Sequence, residues 1–284
     1  MIFTNAIKAM SRWIVAPLAA GVALVAAAEP AATPPDFVFS VTEGVTYQAT
    51  PKEIREKFEP LAEVIGKALH RNVKVLLVPA YDDVRAGLAR QDYDLAFIHP
   101  AHVAMAEVKV GRYRSIAWTS GYTDYSVSLL AKADEPIKDL KELRGRKLVT
   151  PDPDSITAAM VRAMLRAQDL RPGDLKILTT RYQDAVPFYL EYGFAQVGAT
   201  AANSVVKLWT DKGGKVVLRS RGVPIKQFIA SSRLAPDVRE KIRDVLINLA
   251  QSEQGRRALA ASGYKAFVGT DAEVEEKTIA WLGL

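Results

Sequence analysis

Two histidines, His99 and His102, stand three residues apart in the stretch 92–105. On one helix that spacing would put both on one face. Imidazole can ligate a metal, contact a polar ligand, or simply pack. A metal site needs further ligands; His70 is the only other histidine, and no spaced set of Asp or Glu completes one. Contact with an anion or other polar ligand, and plain packing, both stay open. A second candidate is Ser155 and Thr157, which follow Thr150-Pro151-Asp152-Pro153-Asp154 and open an apolar helical run. Free backbone N–H groups and the helix dipole favour an anion at such a start, and the two hydroxyls add donors. Ser155 or Asp154 acting only as a cap is the competing reading. Tyr47, Tyr81, Tyr122 and Tyr182 fall in loops after or between strands, where an apolar ring with a hydroxyl can wall a small polar ligand. Catalysis has no constellation to rest on: there is no thiol, no Gly-x-Ser-x-Gly elbow and no Gly-rich phosphate cradle.

These residues need elements to hold them. Leu95-Ala96-Phe97-Ile98 is a short apolar run between Asp94 and Pro100, which reads as a strand buried on both faces. Pro100 suits a first helical turn, so the histidines sit where a strand ends and a helix begins. In open α/β sheets ligands bind beyond that edge. Before it, residues 37–41 alternate as a strand. Thr50-Pro51-Lys52-Glu53 forms a capping box for a helix that Pro60 should kink, residues 73–78 read as a second strand rich in β-branched residues, and Tyr81 opens another helix. Such alternation predicts an α/β sheet with helices on both faces.

Residues 115–118 and 125–131 read as strands, with the polar segment 119–124 as a crossing between them. Residues 137–145 read as a short amphipathic helix closed by Gly145. A second alternating unit follows, with strands at 146–149, 175–178, 195–199 and 215–218 and helices at 154–168, 184–192 and 202–210. Residues 219–224 return the chain to a strand at 226–231 and C-terminal helices at 236–250, 254–262 and 271–282.

Residues 1–28 read as an export signal: Lys8 and Arg12, an apolar stretch, then Ala26-Ala27-Ala28. Pro17 and the closing alanines favour cleavage over a retained membrane anchor. Complete absence of cysteine suits a bacterial periplasm. Of the net charge of +6, two units belong to Lys8 and Arg12, and the rest is spread without the basic, aromatic-interleaved tract of a nucleic-acid binder.

With these motifs in place the chain resembles the periplasmic phosphate/phosphite/phosphonate-binding proteins, solute receptors of ABC importers. The resemblance runs over residues 37–249. It rests on Glu56-Lys57-Phe58-Glu59-Pro60-Leu61-Ala62, on Tyr93-Asp94-Leu95-Ala96-Phe97-Ile98-His99-Pro100, and on Asp152-Pro153-Asp154-Ser155-Ile156-Thr157, with weaker support from residues 139–147. It implies the two-lobed type 2 periplasmic-binding fold: two mostly parallel sheets flanked by helices and joined by two hinge crossings. One lobe would comprise residues 36–122 and 224–284, and the other 125–219. The family's Ser-Thr-Ser anion run would be Ser155-Ile156-Thr157, with the central hydroxyl lost, and its first-loop aromatic would be Tyr47. His99 replaces a usual glycine, Val103 a usual tyrosine, and Gln183 a usual histidine before Asp184-Ala185. Acidic residues that grip aminoalkyl phosphonates fall near the neutral Gln196 and Ala201–Asn203, which counts against that ligand.

The resemblance therefore implies a monomeric periplasmic receptor, without cofactor, that closes on a small oxyanion or polar ligand and delivers it to an ABC permease. Tyr47, Tyr81, His99, His102, Ser155, Ile156, Thr157, Tyr182 and Gln183 would line the cleft. A sensor kinase as partner, or an enzyme on the same fold, are the alternatives.

Overall fold

The computed structural model describes residues 36–43 and 50–284. The expected signal segment 1–28 and Tyr47 lie outside the described residues. Strand β1 (Phe37–Thr42), helix α1 (Pro51–Leu69), β2 (Val73–Leu77), α2 (Tyr81–Arg90), β3 (Leu95–Ile98), α3 (Ala101–Lys109) and β4 (Tyr113–Thr119) come first. Then follow β5 (Ser128–Ala131), β6 (Lys147–Thr150), α4 (Ile156–Arg166), β7 (Lys176–Thr179), α5 (Val186–Glu191), β8 (Val197–Thr200), α6 (Asn203–Asp211) and β9 (Lys215–Arg219). The chain ends with β10 (Gln227–Ser231), α7 (Pro236–Ile247), α8 (Glu253–Ser262), β11 (Phe267–Val268) and α9 (Ala272–Leu282).

The strands form two sheets, ordered β11-β4-β10-β3-β1-β2 and β7-β6-β8-β5-β9. Within the first, β1 runs parallel to β2 and β3, while β10 runs antiparallel to β3 and β4. In the second, β6 runs parallel to β7 and β8, while β5 runs antiparallel to β8 and β9. The expected pair of helix-flanked sheets is thus present, and each is mixed, because the strand entered from a crossing runs against its neighbours. Two segments connect the sheets, and they are tied together. Tyr125 and Val223 exchange backbone hydrogen bonds of 3.0 Å, Ile225 N donates to Tyr122 O, and Ser220 N donates to Val127 O. At Gly222 a Cβ would fall 1.6 Å from Asp124 Oδ1 and 3.2 Å from Asp124 Cα, so a side chain there would displace the Asp124 carboxylate and press on the other crossing.

Strand alternation sorts the first sheet's core. Phe39, Phe97 and Phe228 face α1 and meet Phe58 and Tyr264, with Phe97 and Phe228 ring centroids 4.8 Å apart. Ala96, Ile98 and Ile229 face the other way and pack with Val84, Leu88, Val103 and Ala104 of α2 and α3. In the second sheet's core, Leu129, Leu148 and Val197 pack with Ile156, Met160 and Met164 of α4. Ala101 and Met105 of α3, and Leu282 of α9, join that same core.

The capping box forms as the sequence predicts: Glu53 N donates to Thr50 Oγ1 and Thr50 N to Glu53 Oε2. Thr50→Ala is expected to cost about 1 kcal/mol, read as a lower urea midpoint at unchanged slope. An unchanged midpoint would show that the box contributes nothing. Helix α1 runs on through Pro60 to Leu69. The helix expected over residues 137–145 is reduced to a 3₁₀ turn at Lys141–Leu143. Asp139 Oδ1 takes the Lys141 and Glu142 N–H groups and Glu142 Oε2 takes that of Lys138, so side chains capture donors a helix would need. At residues 184–192 a 3₁₀ turn, Gln183–Ala185, precedes the shorter α5.

Candidate ligand-binding site

The first sheet ends toward the site in a row set by its register. Gln227 of β10 lies opposite Ile98 and Trp118, and His99 N donates to Thr42 O at 2.8 Å. Thr119, Lys226, His99 and Glu43 therefore stand at the same edge, each just inside or beyond a strand end. Thr42 Oγ1 donates to Val78 O and closes the β1–β2 side.

His99 and His102 do not share a helix face. Pro100 is the N-cap of α3, so His99 extends β3 and His102 occupies the helix's first turn. Both are 7 % exposed. His99 Nδ1 lies 3.0 Å from Ile225 O. A carbonyl only accepts, so Nδ1 carries the proton and, in the neutral ring, Nε2 is the acceptor. Burial first, then the Lys226 charge, pushes the His99 pKa down to about 4. Burial, with Arg162 and Arg85 nearby, pushes His102 down to about 3. Both rings are neutral at pH 7. His102 Nδ1 is fully enclosed with no hydrogen-bond partner among the described residues.

From the second sheet, β6 delivers the turn 151–155 and the start of α4, which packs against α3. Ser155 is the N-cap, its Oγ accepting from Ala158 N at 3.1 Å. That bond uses one of the first-turn donors and leaves the N–H groups of Ile156 and Thr157 without intrahelical acceptors. The Ile156 side chain is in the core, so only its backbone can face a ligand. Thr157 is 1 % exposed, and its Oγ1 has no partner among the described residues. Asp154 accepts from Arg85 of α2 at 2.8 Å, an ion pair between elements flanking different sheets.

Tyr81 is buried at the start of α2, with the Arg85 guanidinium 5.9 Å from its ring centroid. Tyr182 is half-buried beside Arg181. Gln183 is engaged within the protein: its Oε1 accepts from Thr200 Oγ1 at 3.0 Å and Ala201 N at 2.6 Å, and its Nε2 donates to Tyr125 Oη at 3.3 Å. It ties α5, β8 and a crossing together.

The chain pattern did not point to the buried ion cluster beside His99. Glu43 accepts from Lys57 at 2.5 Å, from Lys226 at 3.1 Å and from Tyr264 Oη at 2.7 Å. Burial opposes ionisation of Glu43, but Lys226 and Lys57 outweigh it and hold the carboxyl below its ordinary range. Thr119 Oγ1 and Gln227 Nε2 are further enclosed atoms without partners among the described residues. No three His, Cys, Asp or Glu side chains converge to hold a metal among the described residues, and no helix there is long and apolar enough to cross a membrane.

Buried donors without acceptors, a helix start and neutral imidazoles suit a small ligand rich in acceptor oxygens. The family model described as "ABC transporter, phosphonate, periplasmic substrate-binding protein" matches residues 44–274. A Xanthomonas citri protein solved bound to ATP aligns at 17 % identity and TM-score 0.71, over 87 % of this chain and 97 % of that one. A binding-protein component of an ABC phosphonate transporter from Pseudomonas aeruginosa aligns at 17 % identity and TM-score 0.59, over 88 % and 85 %. PhnD1 from Prochlorococcus marinus, in complex with methylphosphonate, aligns at 14 % identity and TM-score 0.61, over 87 % and 97 %. At these identities the structural likeness carries the fold.

Proposed function

The chain belongs to the periplasmic substrate-binding proteins of ABC phosphonate transporters, and from that premise we propose that its own ligand is a small phosphonate-like oxyanion held at the start of α4. The observation that carries this reading is Thr157 Oγ1, an enclosed hydroxyl without a partner among the described residues, beside N–H groups that α4 cannot satisfy itself. Ser155 fixes the turn. His102 offers Nδ1, and His99, anchored on Ile225 through its own Nδ1, stands at the same edge. Because both rings are neutral, they suit an anion that keeps one proton or presents a polar edge. Tyr81 and Tyr182 supply walls, and Tyr47 is assigned a wall by its place in the sequence after β1 and by the family resemblance. Gln183 acts by bracing the second sheet's edge.

Closure would turn on the paired crossings around Tyr125 and Val223, with the first sheet and its helices as one lobe and the second as the other. The closed receptor would hand its ligand to a membrane permease after export by the N-terminal segment. Arg85–Asp154 would act as a latch across the two lobes. Both groups are partly exposed, so Arg85→Ala is expected to weaken binding by up to about fivefold, mainly through faster release. Unchanged release would remove the latch from the mechanism.

Thermal unfolding of the chain without residues 1–28 tests the reading, with methylphosphonate, phosphate, phosphite, sulfate and small organic acids as ligands. A ligand at a thousand times its dissociation constant adds about 4 kcal/mol. A phosphorus oxyanion is expected to give the largest shift. A shift with organic acids alone would overturn the oxyanion assignment.

A further inference from the structure

The ion cluster beside the site is unbalanced. Lys226 is 2 % exposed and Glu43 6 %, whereas Lys57 reaches solvent with 27 % of its side chain. Among the described residues two ammonium groups thus share one carboxylate, and burying an ammonium with half a counter-ion is costly. The segment 44–49, Gly-Val-Thr-Tyr-Gln-Ala, follows Glu43 directly and contains no charged residue, so its sequence adds nothing to the balance. Tyr264 Oη lies 2.9 Å from Lys226 Nζ, and the Tyr122 ring centroid is 4.7 Å from the same ammonium. Those partners orient the charge and leave it in place.

Position makes the surplus functional. Alternation puts Lys226 with Phe228, and Glu43 with Val41, on the α1 side of the sheet, at the edge that also carries His99. The field of the cluster reaches that edge: Lys226 and Lys57 both disfavour a proton on His99, and Glu43 favours one. The sum at His99 is positive.

We propose that Lys226 is the charge-selecting residue of the site, its ammonium supplying, from behind His99, the positive potential that favours an anion over a neutral ligand of the same shape. This inference rests on the oxyanion reading above. Lys226 acts as a positioning residue for charge, through space, while the donors of α4 and the histidines make the contacts. Glu43 is the moderating half of the device: it holds the ammonium where it is and subtracts from its field.

The test is methylphosphonate titration, followed calorimetrically at fixed pH and at two salt concentrations, of the wild type and three variants. Lys226→Met keeps the apolar stem and removes the charge, and affinity is expected to fall about tenfold to a hundredfold, with a weaker dependence on salt. Lys226→Arg is expected to stay within a fewfold of wild type. Glu43→Gln leaves both ammoniums and removes their counter-charge, so affinity is expected to rise several-fold even if the fold is less stable. That opposite sign separates a charge effect from loss of packing. Wild-type affinity in Lys226→Met, or equal weakening by Lys226→Met and Glu43→Gln, would overturn the inference while the receptor still binds. Absence of binding by the wild type itself would instead strike the oxyanion reading.

Discussion

Thr157→Val is expected to weaken binding of methylphosphonate about tenfold to a hundredfold and, at the same time, to raise the melting temperature of the ligand-free protein. The two signs follow from one fact. Thr157 Oγ1 is enclosed and makes no hydrogen bond among the described residues, so in the absence of ligand the hydroxyl has lost its water and gained nothing. An unsatisfied buried hydroxyl costs roughly 1–3 kcal/mol, and a methyl group of the same size removes that penalty. In the complex the same hydroxyl would donate to an anionic oxygen, and a hydrogen bond to a charged group contributes about 1.5–3 kcal/mol. That span corresponds to the stated loss of affinity. Ser155→Ala should behave differently, because Ser155 Oγ is committed to Ala158 N and its loss removes a helix cap. A Thr157→Val protein that binds as tightly as wild type would place the ligand elsewhere.

The second large effect is on acid stability. His99 and His102 titrate near 4 and 3 in the fold, against 6.5 for an unperturbed histidine. Below pH 6.5 the unfolded chain takes up protons that the fold refuses, so stability present above that value is lost as pH falls toward 4 and then 3. Each ring contributes a slope of about 1.4 kcal/mol per pH unit, so the pair gives a slope of about 3 kcal/mol per pH unit between about pH 6 and 4.5. The accumulated loss by pH 4 is on the order of 6 kcal/mol, comparable to the whole stability of many domains. Glu43, held below its ordinary range, adds its own loss only below about 4.5. His102→Gln should halve the slope between pH 6 and 4.5 in chemical denaturation. A flat profile across that interval would mean that the histidines are hydrated and that the site is open.

What could be read from the sequence was local. The strand-to-helix passage around His99, the cap at Ser155 and the capping box at Thr50 each depend on residues a few positions apart, and their side chains decide them directly. The chain order of sheets and helices followed from the same short-range grammar. Distance in sequence hid the rest. Glu43 meets Lys226 across 183 positions and Tyr264 across 221, and Arg85 meets Asp154 across 69. One signal for the cluster was present, Lys226 beside Gln227 in the otherwise apolar stretch from Val223 to Ile229, where a charge has to find a partner. Residues 137–145 misled because helical periodicity there competes with Asp139 and Glu142, whose carboxylates take the backbone donors. Gln183 drew attention as the replacement of a family histidine. Its amide is spent on Thr200, Ala201 and Tyr125, a demand visible only once β8 and the crossing are placed beside it.

A crystal structure of the chain without residues 1–28, grown with methylphosphonate, would show where the ligand sits. Phosphonate oxygens are expected within hydrogen-bond distance of Thr157 Oγ1 and of the first backbone N–H groups of α4, with His99 and His102 on the opposite side. A phosphonate bound elsewhere, with Thr157 Oγ1 still enclosed and unpartnered, would contradict this placement.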